Sequence, residues 1–203
     1  LANGKDVTQF TQSNFLPFLP VRGQTTQALA STKTAQLKLS LGHEGYLTPA
    51  MNGKHIFGAS FERGETQASL KEADDEQNYL QLQHYLPEFA AELTAIESSH
   101  AAIRMTTPDR YPYVGPLPEA NLFRQAYTGI QHGKKYKAWP PAPYQTGLFI
   151  SAGYGSRGLT TAPLCSELLA ALINREPLPL ERSLYYKLHP ARFLLKKLQQ
   201  NRD

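Results

Sequence analysis

One cysteine, Cys165, is the only thiol in this chain of 203 residues. No disulfide can form within it, and no Cys-x-x-Cys pair or Cys/His cluster of metal-ligand spacing occurs. A single thiol fits a reducing compartment, so a cytoplasmic location is expected. No apolar run approaches the ~20 residues that cross a bilayer, which speaks against a membrane span. Gly-x-Ser-x-Gly, His-Glu-x-x-His and the Walker lysine loop are also missing. The six histidines (His43, His55, His84, His100, His132 and His189) are scattered, without ligand spacing or an evident carboxylate partner. A serine hydrolase is therefore not expected, nor a zinc enzyme, nor any bound metal. A cofactor enzyme stays open, because a cofactor carries the hard chemistry and the protein orients and polarises. The chain opens Leu1-Ala2-Asn3-Gly4, with no initiating methionine, signal or transit segment. It reads as the tail of a strand, and a piece of a longer protein is expected.

Acidic residues are absent from Ala120 to Ser166. Residues 1–119 hold 13 acidic and 9 basic side chains, a net of −4, whereas residues 120–203 hold 4 and 12, a net of +8. Such a one-sided basic field suits either a polyanion partner or a solvated surface. With 41% hydrophobic and 19% charged residues, the composition is that of a globular chain rather than a disordered one.

Taken in order, residues 1–19 read as a strand end and a connection that finishes in Phe15-Leu16-Pro17-Phe18-Leu19. Val21–Thr26 reads as a strand. Thr34–Leu41 alternates, with Ala35, Leu37, Leu39 and Leu41 on one face, and predicts a half-buried strand. Gly45–Pro49 is a short strand, Asn52-Gly53 a hairpin turn, and Lys54–Phe61 the returning strand. Residues 70–86 take a helical period, with Tyr79, Leu82, Tyr85 and Leu86 as the stripe and an acidic, solvated start at Asp74-Asp75-Glu76. A strand follows at 97–106, then a loop over 107–116, a loop-rich stretch to 147, a strand at 148–152 and a helix over 162–174. Cys165 falls on the apolar side of that helix, and Pro163 suits its first turn. The tail, 182–202, has six basic residues and no acid, and predicts a short basic amphipathic helix. The fold class expected is α+β. An antiparallel-sheet substrate domain spans 20–115, and a loop-rich basic segment spans 116–203.

Strand, glycine-rich turn and helix start meet at Gly153-Tyr154-Gly155-Ser156-Arg157-Gly158-Leu159. Glycines let the backbone approach a ligand, and the helix start points its positive dipole end at it. An anion, a phosphate or an electron-rich ring edge would suit the turn; a plain tight turn is the alternative. Gly133-Lys134-Lys135-Tyr136-Lys137-Ala138-Trp139 interleaves cations with aromatics, as phosphate contact and base stacking require.

Pro20-Val21-Arg22-Gly23-Gln24, Gly45-Tyr46-Leu47-Thr48-Pro49, Ile103-Arg104 running into Pro112-Tyr113-Val114-Gly115, and the glycine loop occur in one order. That order resembles FAD-dependent amine and amino-acid oxidases of the glycine oxidase/D-amino-acid oxidase type. Thr107-Pro108-Asp109-Arg110, Gly155–Leu159 with Ala162–Glu167, and the basic tail resemble the oxidoreductase half of bifunctional tRNA-modifying enzymes in particular. These flavoproteins begin with a βαβ unit that grips the ADP half of FAD. That unit and its Gly-x-Gly-x-x-Gly motif are expected to be absent from the chain, so the N-terminal part of the FAD domain and a methyltransferase domain are expected to be missing. The chain alone is then expected to hold FAD weakly, if at all, and to be inactive.

The resemblance implies FAD as cofactor and tRNA as partner. The reaction implied is oxidative removal of a carboxymethyl group from a wobble uridine, releasing glyoxylate. It also implies Arg104, Tyr46 and Arg157 as substrate-binding residues, although an ungapped match puts the second family arginine at Ser156. Gly153, Tyr154, Gly155, Ser156, Arg157, Gly158 and Leu159 would face the cofactor. Lys134, Lys135, Lys137, Lys196 and Lys197 are the candidate tRNA contacts. The alternatives are a small-amine oxidase of the glycine or sarcosine type, and a non-catalytic RNA-binding fragment.

Overall fold

Strand β1 (Leu19–Leu29) is the spine of residues 20–103. The computed structural model describes residues 1–93, 95–133 and 139–200. On one side β1 pairs antiparallel with β4 (Lys54–Gly58) and β5 (Glu62–Arg63), in registers such as Thr26↔Phe57 and Arg22↔Glu62. The short strands β2 (Leu41–Gly42) and β3 (Tyr46–Leu47) extend the sheet beyond β4. β6 (Ile96–Thr106) also pairs with β1.

Helix α1 (Glu72–Tyr85) lies along one face of β1, and α2 (Pro87–Glu92) follows it. Successive strand residues alternate faces, so Arg22, Gln24, Thr26 and Ala28 share one face. Along α1 that face meets Asp74, Asn78 and Leu82 in turn. Polar groups pair at one end, and Ala28, Leu47, Phe57 and Leu82 close the core at the other. Each fully buried Leu or Phe there contributes about 1.5–3 kcal/mol. The acidic start of α1 is thus not simply solvated: Asp74 pairs with Arg22, which is wholly buried, and Asp75 accepts from Thr26 Oγ1.

The strand predicted over 34–41 is not formed. Residues 34–36 make one 3₁₀ turn, Leu39 is exposed, and only Leu41–Gly42 pairs. The Thr34 hydroxyl accepts from Ser31 N at 2.9 Å, and this local bond holds a turn where alternation suggested a ladder.

Residues 1–19 and 104–203 form the second unit, built on a two-stranded antiparallel ribbon. Its strands are β7 (Tyr113–Pro118) and β8 (Tyr144–Ala152). Residues 104–115, grouped by sequence with the substrate domain, belong here because β7 pairs with β8. Pro116 and Pro118 sit inside β7, which proline tolerates because the ribbon leaves β7 an open edge. Tyr113, Leu117 and Ile150 pack with Val7 and Leu16 in one cluster. Val114 joins Cys165, Leu168 and Leu188 in another. Leu1 pairs its backbone with Phe149 O and Ser151 N of β8.

Helix α3 (Ala120–Ala126) forms within the stretch that the sequence presents as loop-rich; its N-cap is Glu119, an uncommon cap, whose carboxylate accepts from Leu122 N at 2.6 Å. Helix α4 (Gly158–Asn174) starts one turn earlier than expected, so Pro163 lies inside it. Lacking an N–H, Pro163 leaves the Leu159 carbonyl without its helical donor. The tail forms two helices, α5 (Arg182–Leu188) and α6 (Arg192–Gln199), rather than one. The α+β class stands, and among the described residues no helix is long and apolar enough to cross a membrane.

Candidate functional site

Gly153 and Gly155 hold φ of +81° and +57°, a region that a side chain disfavours. A Cβ on Gly153 would stand 2.9 Å from Thr107 Cγ2, and one on Gly155 would stand 3.1 Å from Thr106 Oγ1. The loop therefore lies directly on the end of β6. An isolated antiparallel bridge between Thr106 and Tyr154 joins the two segments. The Tyr154 hydroxyl bonds Ser151 Oγ at 2.6 Å. Burial pushes both the Tyr154 phenol and the Cys165 thiol up, so Cys165 is the inert buried thiol its helix position suggested.

An open pocket of about 640 Å³ sits against this junction. Arg104, Gly155, Ser156, Gly158, Leu159, Ala162, Pro163 and Ser166 line it. Arg104 is half-buried and, among the described residues, makes no hydrogen bond or ion pair. A guanidinium in a pocket with no protein partner is available to an incoming anion. Arg157 is exposed and is not among the lining residues; its carbonyl accepts from Thr160 and Thr161 hydroxyls. Ser156 takes the lining position.

Tyr46 belongs to the other unit, half-buried on β3, with its backbone paired to Gly42 and Gly58. Lys196 and Lys197 are exposed on α6. Lys134, Lys135 and Lys137 lie outside the described residues. Ala162, Pro163 and Ser166 were not foreseen as lining residues, since the helix was expected to begin at 162. Their spacing of one turn (Ala162, Pro163) or two turns (Ser166) from Leu159 becomes a signal only once α4 starts at Gly158. Among the described residues, no cluster of His, Cys, Asp or Glu could hold a metal.

Gly153, Gly155 and Gly158 also satisfy the spacing Gly-x-Gly-x-x-Gly. The surroundings are wrong for a dinucleotide fingerprint. β8 pairs antiparallel with β7, and α4 leads into α5 rather than a parallel strand. The loop is not the βαβ grip of an ADP moiety.

Two polar contacts in the same unit involve titrating groups. Arg192 on α6 grips Asp109 with two bonds, Nε–Oδ2 at 2.8 Å and Nη2–Oδ1 at 2.9 Å. Burial alone would raise the Asp109 pKa, but the Arg192 bonds and charge outweigh it and hold the carboxyl low. His189 accepts from Ala191 N at Nδ1 (3.0 Å), which leaves Nε2 to carry the proton toward Tyr144 Oη at 3.1 Å. Burial, with Arg192 beside it, pushes His189 down to about 4.

A histidine depressed in the fold favours the folded state most above its unfolded value of ~6.5. That contribution is lost as pH falls from ~6.5 to about 4. Thermal melts are therefore expected to lose midpoint steadily over that window. His189→Gln should flatten the loss; an unchanged slope in the variant would count against the assignment.

The FAD dependent oxidoreductase family model matches residues 1–172. The chain belongs to that family. It is 40% identical over 200 residues to the tRNA 5-methylaminomethyl-2-thiouridine biosynthesis bifunctional protein MnmC of Legionella pneumophila (strain Lens). The match covers 98% of the chain and 30% of that protein. The protein of the same description from Pseudomonas syringae pv. tomato is 40% identical, over 98% of the chain and 31% of its own length. The chain thus spans about 30% of the length of these curated relatives. Among solved structures, glycine oxidase from Geobacillus kaustophilus shares the fold with a TM-score of 0.69 at 19% identity, over 94% of the chain and 44% of that protein. Iminodiacetate oxidase from Chelativorans sp. BNC1 does so with 0.69 at 19%, over 93% and 44%. The expectation of this oxidase family is borne out. Residues 173–203 continue beyond the family model yet fall largely within the reach of the MnmC matches.

Proposed function

We propose that the chain forms the substrate-facing part of an FAD-dependent oxidase that removes the carboxymethyl group from a 5-carboxymethylaminomethyl-uridine in tRNA. Oxidation takes two electrons and two protons from the CH–NH bond of that group. Water adds to the resulting C=N bond, and C–N cleavage leaves aminomethyl-uridine and glyoxylate. A methyltransferase elsewhere in the full-length protein would then act on the amine, and a tRNA substrate places the work in the cytoplasm.

What carries this reading is the Arg104 guanidinium, unpartnered among the described residues, in a pocket walled by the glycine loop. A planar cationic fork matches the carboxylate of the carboxymethyl group, which it would hold by two parallel bonds. Tyr46 is taken as a substrate contact on family resemblance alone. Residues 153–159 fit one edge of a flavin. Gly155, Ser156 and Gly158 line the pocket, Leu159 is fully exposed, and the start of α4 presents its positive dipole end. FAD, when bound, supplies the acceptor for the substrate's electrons. The chain's residues hold the carboxylate, orient the carbon beside it and supply donors where negative charge develops. Arg157, exposed beside the loop, remains for the cofactor or a phosphate.

A tRNA substrate, rather than a small amine, is favoured by exposed cations. Lys196 and Lys197 stand on α6, and Arg124 is exposed on α3, which packs against it. Lys134, Lys135 and Lys137, which lie outside the described residues, are proposed as tRNA contacts from the sequence alone. The test is glyoxylate release by the full-length, FAD-loaded protein from tRNA bearing the modified uridine, against release from a free N-carboxymethyl amine. Reversing Arg124, Lys196 and Lys197 to Glu is expected to weaken tRNA binding and to lower the salt slope by up to ~2–3, while sparing the free amine. Equal turnover of both substrates with no salt dependence would favour a small-amine oxidase instead. A full-length protein that binds tRNA and oxidises neither would be a binding module.

A further inference from the structure

The glycine loop rests on Thr106 and Thr107, two and three residues beyond Arg104, and those residues are themselves held from the far side. Thr107 Oγ1 lies 2.9 Å from Asp109 Oδ1 and 2.7 Å from Tyr111 O. Tyr111 N donates to the same Asp109 oxygen at 3.2 Å. Arg192 closes the turn. Besides its two bonds to Asp109, its Nη2 donates to Tyr111 O at 2.6 Å, and its guanidinium stacks 4.1 Å from the Tyr113 ring centre. Its side chain is nearly buried. A surface ion pair would be worth little; a bidentate, stacked and mostly desolvated one orders its neighbours.

We infer that the Arg192–Asp109 clamp is a positioning device for Arg104. It fixes the 106–111 turn from the α6 side, so that Thr106 and Thr107 form the surface on which Gly153 and Gly155 settle. Arg104 and the glycine loop then keep the separation that the substrate carboxylate requires. Arg192 lies beyond residue 172, where the family model ends, so the clamp's basic half comes from the C-terminal extension. The Thr107-Pro108-Asp109-Arg110 turn and the basic tail, read separately in the sequence, are two halves of one part. Neither Asp109 nor Arg192 lines the pocket, so their effect on substrate passes through Arg104 and the loop.

The inference rests on Arg104 holding the substrate carboxylate, and a double-mutant cycle separates the two. In the full-length FAD-loaded protein, Asp109→Asn is expected to raise KM for the modified tRNA ~10-fold with kcat within ~2-fold. In an Arg104→Ala background the same change should add less than ~2-fold, because the contact it positions is already gone. Arg192→Lys keeps the charge but loses the fork, and should give a smaller rise in KM. It serves in place of Asp109→Asn should that variant not fold. If Arg104→Ala leaves KM unaltered, the carboxylate reading fails. If Arg104→Ala raises KM but the Asp109 effect simply multiplies with it, the clamp is structural only and this inference is wrong.

Discussion

Arg104→Ala in the full-length, FAD-loaded protein is expected to cut kcat/KM on the modified tRNA by ~30- to 1000-fold. A hydrogen bond to a charged group contributes about 1.5–3 kcal/mol net, and each 1.4 kcal/mol is tenfold. Two parallel bonds to one carboxylate, partly additive, give about 2–4 kcal/mol. The effect should fall on substrate recognition rather than on the fold. Arg104 has no partner among the described residues, so its removal strands no buried group, and stability should stay within about 0.5 kcal/mol. Arg104→Lys should recover only part of the loss, because an ammonium cannot make the bidentate fork. Steady-state kinetics with the modified tRNA, paired with a thermal melt, decide the matter. Unchanged kcat/KM would remove Arg104 from the site.

The largest stability effect is expected at Arg22. Its side chain is wholly buried between β1 and α1, where it pairs with Asp74. It also donates to Gln24 Oε1 at 2.7 Å and to Ser69 O at 3.0 Å. Arg22→Met leaves the Asp74 carboxylate poorly exposed and without its partner. Breaking one side of such a pair costs about 3–5 kcal/mol, whereas replacing both sides with apolar groups is often near neutral. Denaturant unfolding should therefore show a loss of about 3–5 kcal/mol for Arg22→Met and recovery of much of it in Arg22→Met/Asp74→Leu. A loss under about 1 kcal/mol for the single variant, or no recovery in the double, would contradict the pairing as the cause.

Periodic segments were legible where burial followed local pattern. Helix α1, β6, β8 and the Asn52-Gly53 hairpin come directly from spacing and turn chemistry. The pattern misled where a local bond or an uncommon residue competed with it. The Ser31–Thr34 turn replaced a predicted strand, Glu119 capped a helix where no cap was expected, and prolines sat in β7 on an open edge. Asp74 looks solvated in the sequence because nothing in a helix start reveals a buried arginine some fifty residues earlier in the chain. Of the candidate site, the glycine loop and Arg104 were named from ordered motifs. That they share a pocket, and that Ser156 rather than Arg157 lines it, depends on the backbone path.

The amino-acid sequence by itself determined the α+β class, the oxidase resemblance, the single thiol and the uneven charge. Each of these follows from composition, short-range spacing or the order of motifs, all local properties of a chain. Only the tertiary structure decided that Arg104 has no side-chain partner among the described residues, that Gly153 and Gly155 lie on Thr107 and Thr106, and that Arg192 grips Asp109. The last two residues are 83 positions apart. Their meeting is set by how β7, β8 and α6 pack, and packing is a property of the whole chain that no window of sequence contains.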